Sequence, residues 1–397
     1  MGSRLLHSST IVLSSIVFAF IATLFVLRRP LPATTASSQL LSTIATLFPQ
    51  TPNTIMTVAS ANQTQSRAPV YFIAHGGPPT LFDTAHPAHK HWTRWGAEVQ
   101  HQVKHDHIKG IVFVSAHWQA ELGSKNPHQV QINTDESNPL LYDYYNFPAH
   151  FYKLQFTSHN PRPFSDRVAH TLRTHGFDVE PTKRGLDHGV FIPLKAAFHN
   201  VLPPDSPHPK PVSSHDSGRD GLPSNIPLVQ ISLPSELIAG QAAAQASIDL
   251  GRALRSLRDQ QIAIVLGGQP VHNLRSFMTT MRSGALPDPS TGLYRPEPFA
   301  TAFSHALSEA ILSSRSSSAS SAGNDDDDDE QAAKLEKERD AKLLALLLRP
   351  EWKLAHPTDE HFLPLAVAVG ASYPSDPVVE DTPVAEGGLA WNMYRFG

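Results

Sequence analysis

The sequence predicts an α/β fold, a single domain with a central, mostly parallel or mixed sheet that is flanked by helices on both faces. The first observation behind this prediction is a set of short, continuously apolar runs at 70–74, 111–114, 227–233 and 262–266. Such runs, bounded by Gly and Pro, are typical of strands that are buried on both faces. The second observation is that helix-like segments alternate with these runs, as the Ala-rich stretch 236–257 does. This alternation is typical of a sheet covered by helices.

Composition narrows the classes of function. The chain of 397 residues is 40% hydrophobic and 17% charged, as globular proteins are. Its net charge of -4, without a basic stripe, predicts no binding to nucleic acid. It contains 22 histidines and no cysteine, which excludes disulfides, iron–sulfur clusters, thiolate metal sites and cysteine nucleophiles. Any bound metal must therefore be held by imidazole and carboxylate groups.

Residues 1–69 are predicted to lie outside the folded domain, as an N-terminal apolar anchor or targeting segment followed by a disordered linker. The stretch 10–27 is uncharged and largely apolar, and it is long enough for a marginal transmembrane helix. We therefore expect this single helix to anchor the protein in a membrane. The alternatives are a signal sequence, a mitochondrial transit peptide, or a cytoplasmic form that starts at Met56.

The predicted domain covers 70–397, and two insertions interrupt it. The segment 202–225 is crowded with Pro, Ser and Asp, so it cannot bury enough apolar surface to fold by itself. The segment 313–330 is a serine run followed by an acidic run, a composition typical of a solvated linker. Both insertions are expected to be disordered, and a charged helix is expected to resume over 334–348.

Three of the apolar runs lead into a histidine. These histidines are His75, His117 and His272, and the last of them follows its strand after a Gly-Gly-Gln-Pro turn. In sheets of parallel strands, ligands bind just beyond the carboxyl ends of the strands. Three imidazoles at one edge are therefore candidates for a single site, although for any one of them alone an ordinary polar strand end is the preferred interpretation.

Two further motifs carry histidines. In the first, Asp187 and His188 stand between glycines, where Asp187 either orients a neighbouring imidazole or belongs to a simple turn. In the second, Thr358 is a good helix N-cap, which predicts Glu360 and His361 in the first helical turn. Either of these two side chains could bind a metal.

Several classes of enzyme are excluded by their missing motifs. The sequence contains no His-Glu-x-x-His helix, phosphate-binding loop, dinucleotide fingerprint or Gly-x-Ser-x-Gly elbow. What remains is imidazole-rich coordination, with further histidines free for proton transfer. The sequence therefore predicts an enzyme with a single metal ion.

Taken together and in order, the motifs resemble those of the 4,5-DOPA extradiol dioxygenase type of class III ring-cleaving enzymes. They run from His75 through Ala116-His117-Trp118, Asp187-His188-Gly189, His272-Asn273-Leu274 and Glu360-His361 to Tyr394-Arg395-Phe396-Gly397. The resemblance covers most of 70–397 apart from the two insertions, and it implies that this region is the catalytic domain.

The resemblance also implies a role for each residue. His75, His117 and His361 would hold the metal. His272 would be the acid–base group, and His188 would lie in the same pocket and hydrogen-bond the reacting oxygen. More distant members of the superfamily use a carboxylate as the third ligand. Whether Glu360 joins or replaces His361 therefore stays open at this point.

The implied reaction is the opening of a catechol ring, in an L-DOPA-like substrate, by O2 to give a muconic semialdehyde. The cofactor would be one divalent metal ion, either non-haem Fe(2+), which redox chemistry favours, or Zn(2+), with which the family is often associated. Two alternatives are a zinc-dependent hydrolase, because three histidines and a water also form a hydrolytic site, and a non-catalytic metal-binding relative.

Overall fold

A computed structural model of the chain describes residues 67–121, 123, 125–198, 221–313 and 325–397, and the structural statements below concern these residues. Nearly all of the predicted N-terminal segment and most of the insertion 202–225 lie outside them.

The prediction of a transmembrane helix is wrong for the part of the chain that the structure describes. None of the helices there combines the length and the apolar character needed to cross a membrane. The prediction rested on hydropathy alone, for a stretch whose length and serine content made it marginal. That stretch, 10–27, itself falls outside the described residues.

Eleven strands form two sheets in the described residues. Their bounds are β1 Val70–Ala74, β2 Gly110–Ala120, β3 Gln129–Asn133, β4 Asp178–Thr182, β5 Leu228–Ser235, β6 Ile262–Gly268, β7 Val271–His272, β8 Val378–Asp381, β9 Ala385–Glu386, β10 Leu389–Ala390 and β11 Met393–Phe396. The large sheet has the order β4-β3-β5-β2-β6-β1-β11-β8, and the small one has the order β7-β10-β9.

The centre of the large sheet is parallel and its margins are mixed. Strands β5, β2, β6 and β1 run parallel to one another. Strand β11 is antiparallel to β1, and β3 is antiparallel to β5. The predicted α/β class with a mostly parallel or mixed sheet is therefore confirmed.

Nine α-helices lie within the described ranges. Their bounds are α1 Pro87–Lys104, α2 Arg162–Thr174, α3 His188–Ala197, α4 Gly240–Leu254, α5 Leu274–Arg282, α6 Pro298–Leu312, α7 Asp325–Ala345, α8 Trp352–Ala355 and α9 Leu363–Ala371.

The sheet separates two hydrophobic cores. Alternate residues of β1 point to opposite faces, so Val70 and Phe72 join one core while Tyr71 and Ile73 join the other. The first core is covered by α4 and α9, which pack against each other, and the second is covered by α1 and α3. Helices therefore flank the sheet on both faces, as the sequence predicts.

Helix α7 begins at Asp325, so the end of the segment 313–330 is helical, whereas the sequence predicts disorder throughout. Ion pairs stabilise the helix further along its length, where Glu336 pairs with Arg252 and Arg255.

Candidate metal centre

The central strands bring histidines to one edge of the sheet. Because β2, β6 and β1 are adjacent and parallel, their carboxyl ends lie together. His75 directly follows β1, and His272 lies in β7, just after β6. His117 lies inside β2, which continues to Ala120 through an irregularity in its pairing with β5. The strand-end histidines therefore meet at one edge, as the sequence predicts.

His361 completes a compact group with His75 and His117. The ring centroids are 4.9 Å apart for His75 and His117, 5.2 Å for His75 and His361, and 5.0 Å for His117 and His361. The three rings thus form a nearly equilateral triangle. The sequence predicts His361 in the first turn of a helix, but this residue lies in the turn that precedes α9. That helix starts at Leu363 because Pro364 is compatible only with its first turn.

Hydrogen bonds fix which ring nitrogen of two of these histidines faces the group. The Nδ1–H of His75 donates to the carbonyl oxygen of Gly76 at 2.7 Å, and the Nδ1–H of His361 donates to Glu360 Oε1 at 3.0 Å. In His117, Nδ1 lies 3.5 Å from Asp143 Oδ2. With Nδ1 occupied in this way, Nε2 carries the lone pair.

The Nε2 atoms of His75, His117 and His361 are buried and have no hydrogen-bond partner in the described part of the chain. Buried polar atoms are nearly always paired, so three unpaired lone-pair donors close together indicate a site for a ligand. A divalent metal ion fits this donor set, since neutral imidazoles are its common ligands.

The electrostatics keep these rings neutral. Burial, followed by the neighbouring histidine rings, holds the pKa values of His75, His117 and His361 well below the ordinary value. Neutral imidazole is the form that binds metal, because a protonated ring has no lone pair to donate. The three rings are therefore neutral, which is the protonation state in which an imidazole can bind a metal ion.

Glu360 acts on His361 rather than completing the triangle. Its Oε1 accepts hydrogen bonds from His361 Nδ1 and from the Thr358 hydroxyl, the latter at 2.8 Å. Two groups of side chains have ligand atoms within 4.8 Å of one another, namely His75 with His117 and His188, and His272 with Glu360 and His361. Among these six side chains, those of His75, His117 and His361 have buried nitrogens without a hydrogen-bond partner, which makes them the better donor set. This arrangement favours His361 as the third ligand and Glu360 as the carboxylate that orients its ring.

His188 stands beside the triangle as the first residue of α3. Its ring centroid is 4.0 Å from that of His117 and 5.5 Å from that of His75. Its Nδ1–H donates to Asp143 Oδ1 at 2.9 Å. Sequence reasoning missed Asp143, because no short motif links a loop carboxylate to histidines that lie 26 and 45 positions away in the sequence.

Asp187 does not orient an imidazole. This fully buried carboxylate accepts hydrogen bonds from Ser115 at 2.7 Å, Arg184 at 2.9 Å and Gln230 at 2.6 Å. The Ser115 hydroxyl in turn accepts the backbone N–H of His117. Asp187 therefore ties β2 and β5 together beneath the site, and its effect on His117 passes through the backbone.

His272 lies against the ring of His361. The two rings are stacked, with centroids 3.4 Å apart and planes 12° apart. Pairing of β7 with β10 holds the His272 backbone, and Asn273 caps the following helix α5 by accepting the N–H of Ser276. Burial lowers the pKa of His272 to about 3, so its ring is neutral at neutral pH.

Two glycines at the end of β6 allow the segments that carry His188 and His361 to reach the sheet. A Cβ on Gly268 would lie 2.6 Å from the carbonyl oxygen of His361, and a Cβ on Gly267 would lie 2.8 Å from that of Gly189. Both distances are shorter than real Cβ contacts, so only glycine permits these approaches.

The fold and the site together define a class. An α/β sheet whose strand ends present three neutral imidazoles, with two further histidines beside them, is an arrangement typical of a metal-dependent enzyme.

Comparison with known proteins identifies the family within that class. Residues 69–396 match the family model described as the catalytic LigB subunit of aromatic ring-opening dioxygenase. The match spans nearly the whole described chain. The chain therefore belongs to this family, and it is an extradiol aromatic ring-opening dioxygenase. Enzymes of the family use a metal.

Two relatives illustrate the similarity in sequence. The chain is 27% identical to the 4,5-DOPA dioxygenase extradiol of Beta vulgaris over 329 residues, which cover 82% of this chain and 95% of the relative. It is 30% identical to the 4,5-DOPA dioxygenase extradiol-like protein of Schizosaccharomyces pombe over 268 residues, which cover 66% and 67% of the two chains.

A solved structure shares the fold. The crystal structure of an uncharacterized protein from Escherichia coli K12 aligns with a TM-score of 0.52 at 23% identity, covering 83% of this chain and 100% of the other. The sheet and helices described above are therefore those of an experimentally observed fold.

Proposed function

We propose that this dioxygenase opens the ring of a catechol of the L-DOPA type beside its two hydroxyl groups. The bond between a hydroxyl-bearing carbon and its unsubstituted neighbour breaks, both atoms of O2 enter the product, and a muconic semialdehyde results. The observation that carries the proposal is the set of three buried Nε2 atoms in His75, His117 and His361. Relatives named as 4,5-DOPA dioxygenases support the substrate class.

His75, His117 and His361 would hold a single Fe(2+) or Zn(2+) ion through these nitrogens. When bound, the ion supplies open positions that bring both catechol oxygens and dioxygen together, and Fe(2+) also supplies redox chemistry. All three ligands are neutral, so they leave the positive charge of the site uncompensated. The site would therefore favour a substrate that has lost a phenolic proton.

His272 would take that proton. Its ring is neutral at neutral pH and is stacked on that of His361, which puts a proton acceptor directly beside the triangle. A positioned imidazole of this kind accelerates a reaction by roughly 10²–10⁴-fold. The same ring would return the proton to the product.

His188 would face the reacting oxygen with its Nε2 and accept a hydrogen bond from a protonated oxygen there, because Asp143 holds the ring proton on Nδ1. The ring of Tyr144 packs edge-on to His188 with centroids 5.8 Å apart. Tyr144 therefore gives this side of the site an aromatic wall that suits the substrate ring.

The proposal is tested with the full chain, stripped of metal by a chelator and reloaded anaerobically with Fe(2+) or Zn(2+). A panel of catechols that includes L-DOPA is then added with O2, and oxygen uptake and coloured product are recorded. We expect stoichiometric oxygen uptake with at least one metal. A product that forms without oxygen uptake would identify a hydrolase instead, and no product from any catechol with either metal would defeat the proposal.

The His272→Ala variant tests the acid–base role. We expect metal content equal to that of the wild type and a kcat reduced by roughly 10²–10⁴-fold. His305→Ala is the matched control, because His305 is 74% exposed on α6. If His272→Ala lost bound metal to the same extent as it lost activity, the acid–base role would be contradicted.

A further inference from the structure

We infer that Asp143 is a positioning residue that aligns a metal ligand and the neighbouring histidine at the same time, with one carboxylate oxygen for each ring. The inference deepens the proposed function and rests on it only for the consequences in turnover.

The contacts of Asp143 are divided between its two oxygens. Oδ1 accepts the Nδ1–H of His188 at 2.9 Å and also the backbone N–H of His188 at 2.9 Å. Oδ2 lies 3.5 Å from Nδ1 of His117. One carboxylate therefore fixes the side chain and the backbone of His188 and faces the rear nitrogen of His117.

Asp143 also substitutes for the missing cap of α3. The N-cap residue Asp187 makes no side-chain hydrogen bond to the helix, because its carboxylate is engaged beneath the sheet edge. The carboxylate at the N-terminus of α3 comes instead from Asp143, where the helix dipole favours negative charge. The start of the helix and the orientation of the His188 ring thus depend on the same oxygen.

The loop around Asp143 is held firmly enough for this task. The hydroxyl of Tyr142 donates to the carbonyl oxygen of Leu154 at 2.6 Å, and that of Tyr144 donates to Phe151 at 2.7 Å. Both tyrosine rings also pack on Phe191 of α3, with centroids 5.9 and 6.3 Å away. The two tyrosines therefore anchor Asp143 from both sides against the helix that carries His188.

The chemistry follows from the tautomers. A carboxylate at Nδ1 keeps the proton on that nitrogen, so that Nε2 presents its lone pair. In His117 this lone pair would bind the metal, and in His188 it would face the substrate side. Glu360 serves a single ring, that of His361, whereas Asp143 serves two rings with different tasks.

The experiment combines Zn(2+) affinity, measured by chelator competition, with the ring tautomers of Zn(2+)-loaded, 15N-histidine-labelled protein, measured by long-range 1H–15N NMR. In Asp143→Ala we expect affinity to fall roughly 10–100-fold, as is typical when a carboxylate behind a ligand is lost. We also expect the His188 signal, assigned by its absence in His188→Ala, to leave the Nδ1–H form.

A double-variant cycle separates the two tasks. In the His188→Ala background, Asp143→Ala should still weaken Zn(2+) binding, because that effect passes through His117. At saturating metal it should not lower kcat further, because that effect passes through His188. If the effects of Asp143→Ala and His188→Ala on kcat were fully additive, and Asp143→Ala left the Zn(2+) affinity unchanged, the inference would be overturned.

Two controls keep the test decisive. Asp166→Ala removes an exposed carboxylate that pairs with Arg162 on α2, and it should change nothing. Asp143→Asn keeps a neutral acceptor for the helix, so it should remain as stable as the wild type and show a smaller loss of affinity in the same direction. Wild-type affinity and tautomers in both Asp143 variants, or an affinity loss that only mirrors a lower melting temperature without metal, would overturn the inference. An absence of oxygen uptake by the wild type would defeat the proposed function alone.

Discussion

The histidines of the site fall into two groups that are positioned by different means. His75, His117 and His272 are carried by strands or by the residues just after them, so the parallel sheet determines where they lie. His188 and His361 arrive on segments outside the sheet, and a carboxylate orients each ring. The difference teaches that the topology of the sheet determines where a histidine lies. A hydrogen bond to Nδ1 then determines that the ring presents Nε2 to the site.

The largest effect on stability is expected beneath the strand-borne group, that is, His75, His117 and His272. Asp187→Ala removes a fully buried carboxylate and leaves the charge of Arg184 without its partner. We expect the free energy of unfolding to fall by about 3–5 kcal/mol, as is usual when one member of a buried pair is lost. Urea denaturation of the metal-free protein measures this loss. Asp178→Ala, at an exposed carboxylate, should leave the midpoint unchanged.

The next prediction compares one ligand from each group. His117→Ala and His361→Ala should each weaken Zn(2+) binding several hundredfold, since each of the four ligands in a typical structural zinc site accounts for roughly 3–4 kcal/mol of the binding free energy. Competition with a chelator measures the affinity. If His361→Ala bound zinc as the wild type does, Glu360 would be the true ligand and the assignment of His361 would be wrong.

A third prediction concerns the support of the segment that carries His361. His356 is fully buried, and its Nε2–H donates to the carbonyl oxygen of Pro270 at 2.9 Å. Burial lowers the pKa of His356 to about 4, from an ordinary value of 6.5. Because the pKa of His356 is lower in the folded than in the unfolded state, its contribution to the free energy of unfolding is complete above pH 6.5. As the pH falls towards 4, about 3 kcal/mol of that free energy is lost.

His356→Gln tests this pH dependence in the metal-free protein. Between pH 6.5 and 4 the wild type should lose more unfolding free energy than the variant, and the difference should level off below pH 4. Parallel stability curves for the two proteins would show that His356 is not the group responsible.

The smallest effect is expected at the carboxylate behind His361. Glu360→Gln keeps the shape of the side chain and removes its charge, so we expect Zn(2+) affinity to fall about tenfold. Glu351→Gln, which changes a carboxylate paired with Arg349, is the matched control. A loss as large as that of His361→Ala would mean that Glu360 itself binds the metal.

The sequence predicts the strand-borne group well, because long apolar runs mark β1, β2, β5 and β6 and parallel strands share an edge. It does not reveal the short strands β7 to β10, of two to four residues each, whose pairing depends on distant partners. It does predict the five histidines that gather at the site, from their order along the chain and from the family resemblance.

The partners of those histidines are harder to predict. Glu360 is adjacent to His361 in sequence, yet the sequence cannot show whether it binds the metal or the ring. Asp143 lies far from both of its histidines, and only the packing of its loop on α3 brings it there. The nearer acid, Asp187, is an obvious candidate from its position, but its hydrogen bonds turn it towards the sheet instead.

Strand β1 has consequences for how the enzyme comes into being. Both of its neighbours in the sheet, β6 and β11, follow it in the chain by more than 180 residues. While the ribosome is still adding those residues, β1 has no partner and His75 has no fixed location. Pairing between such distant segments is slow, so folding is governed by long loop closures. The imidazole rings of the site therefore come together only after these late segments of the chain have joined the sheet.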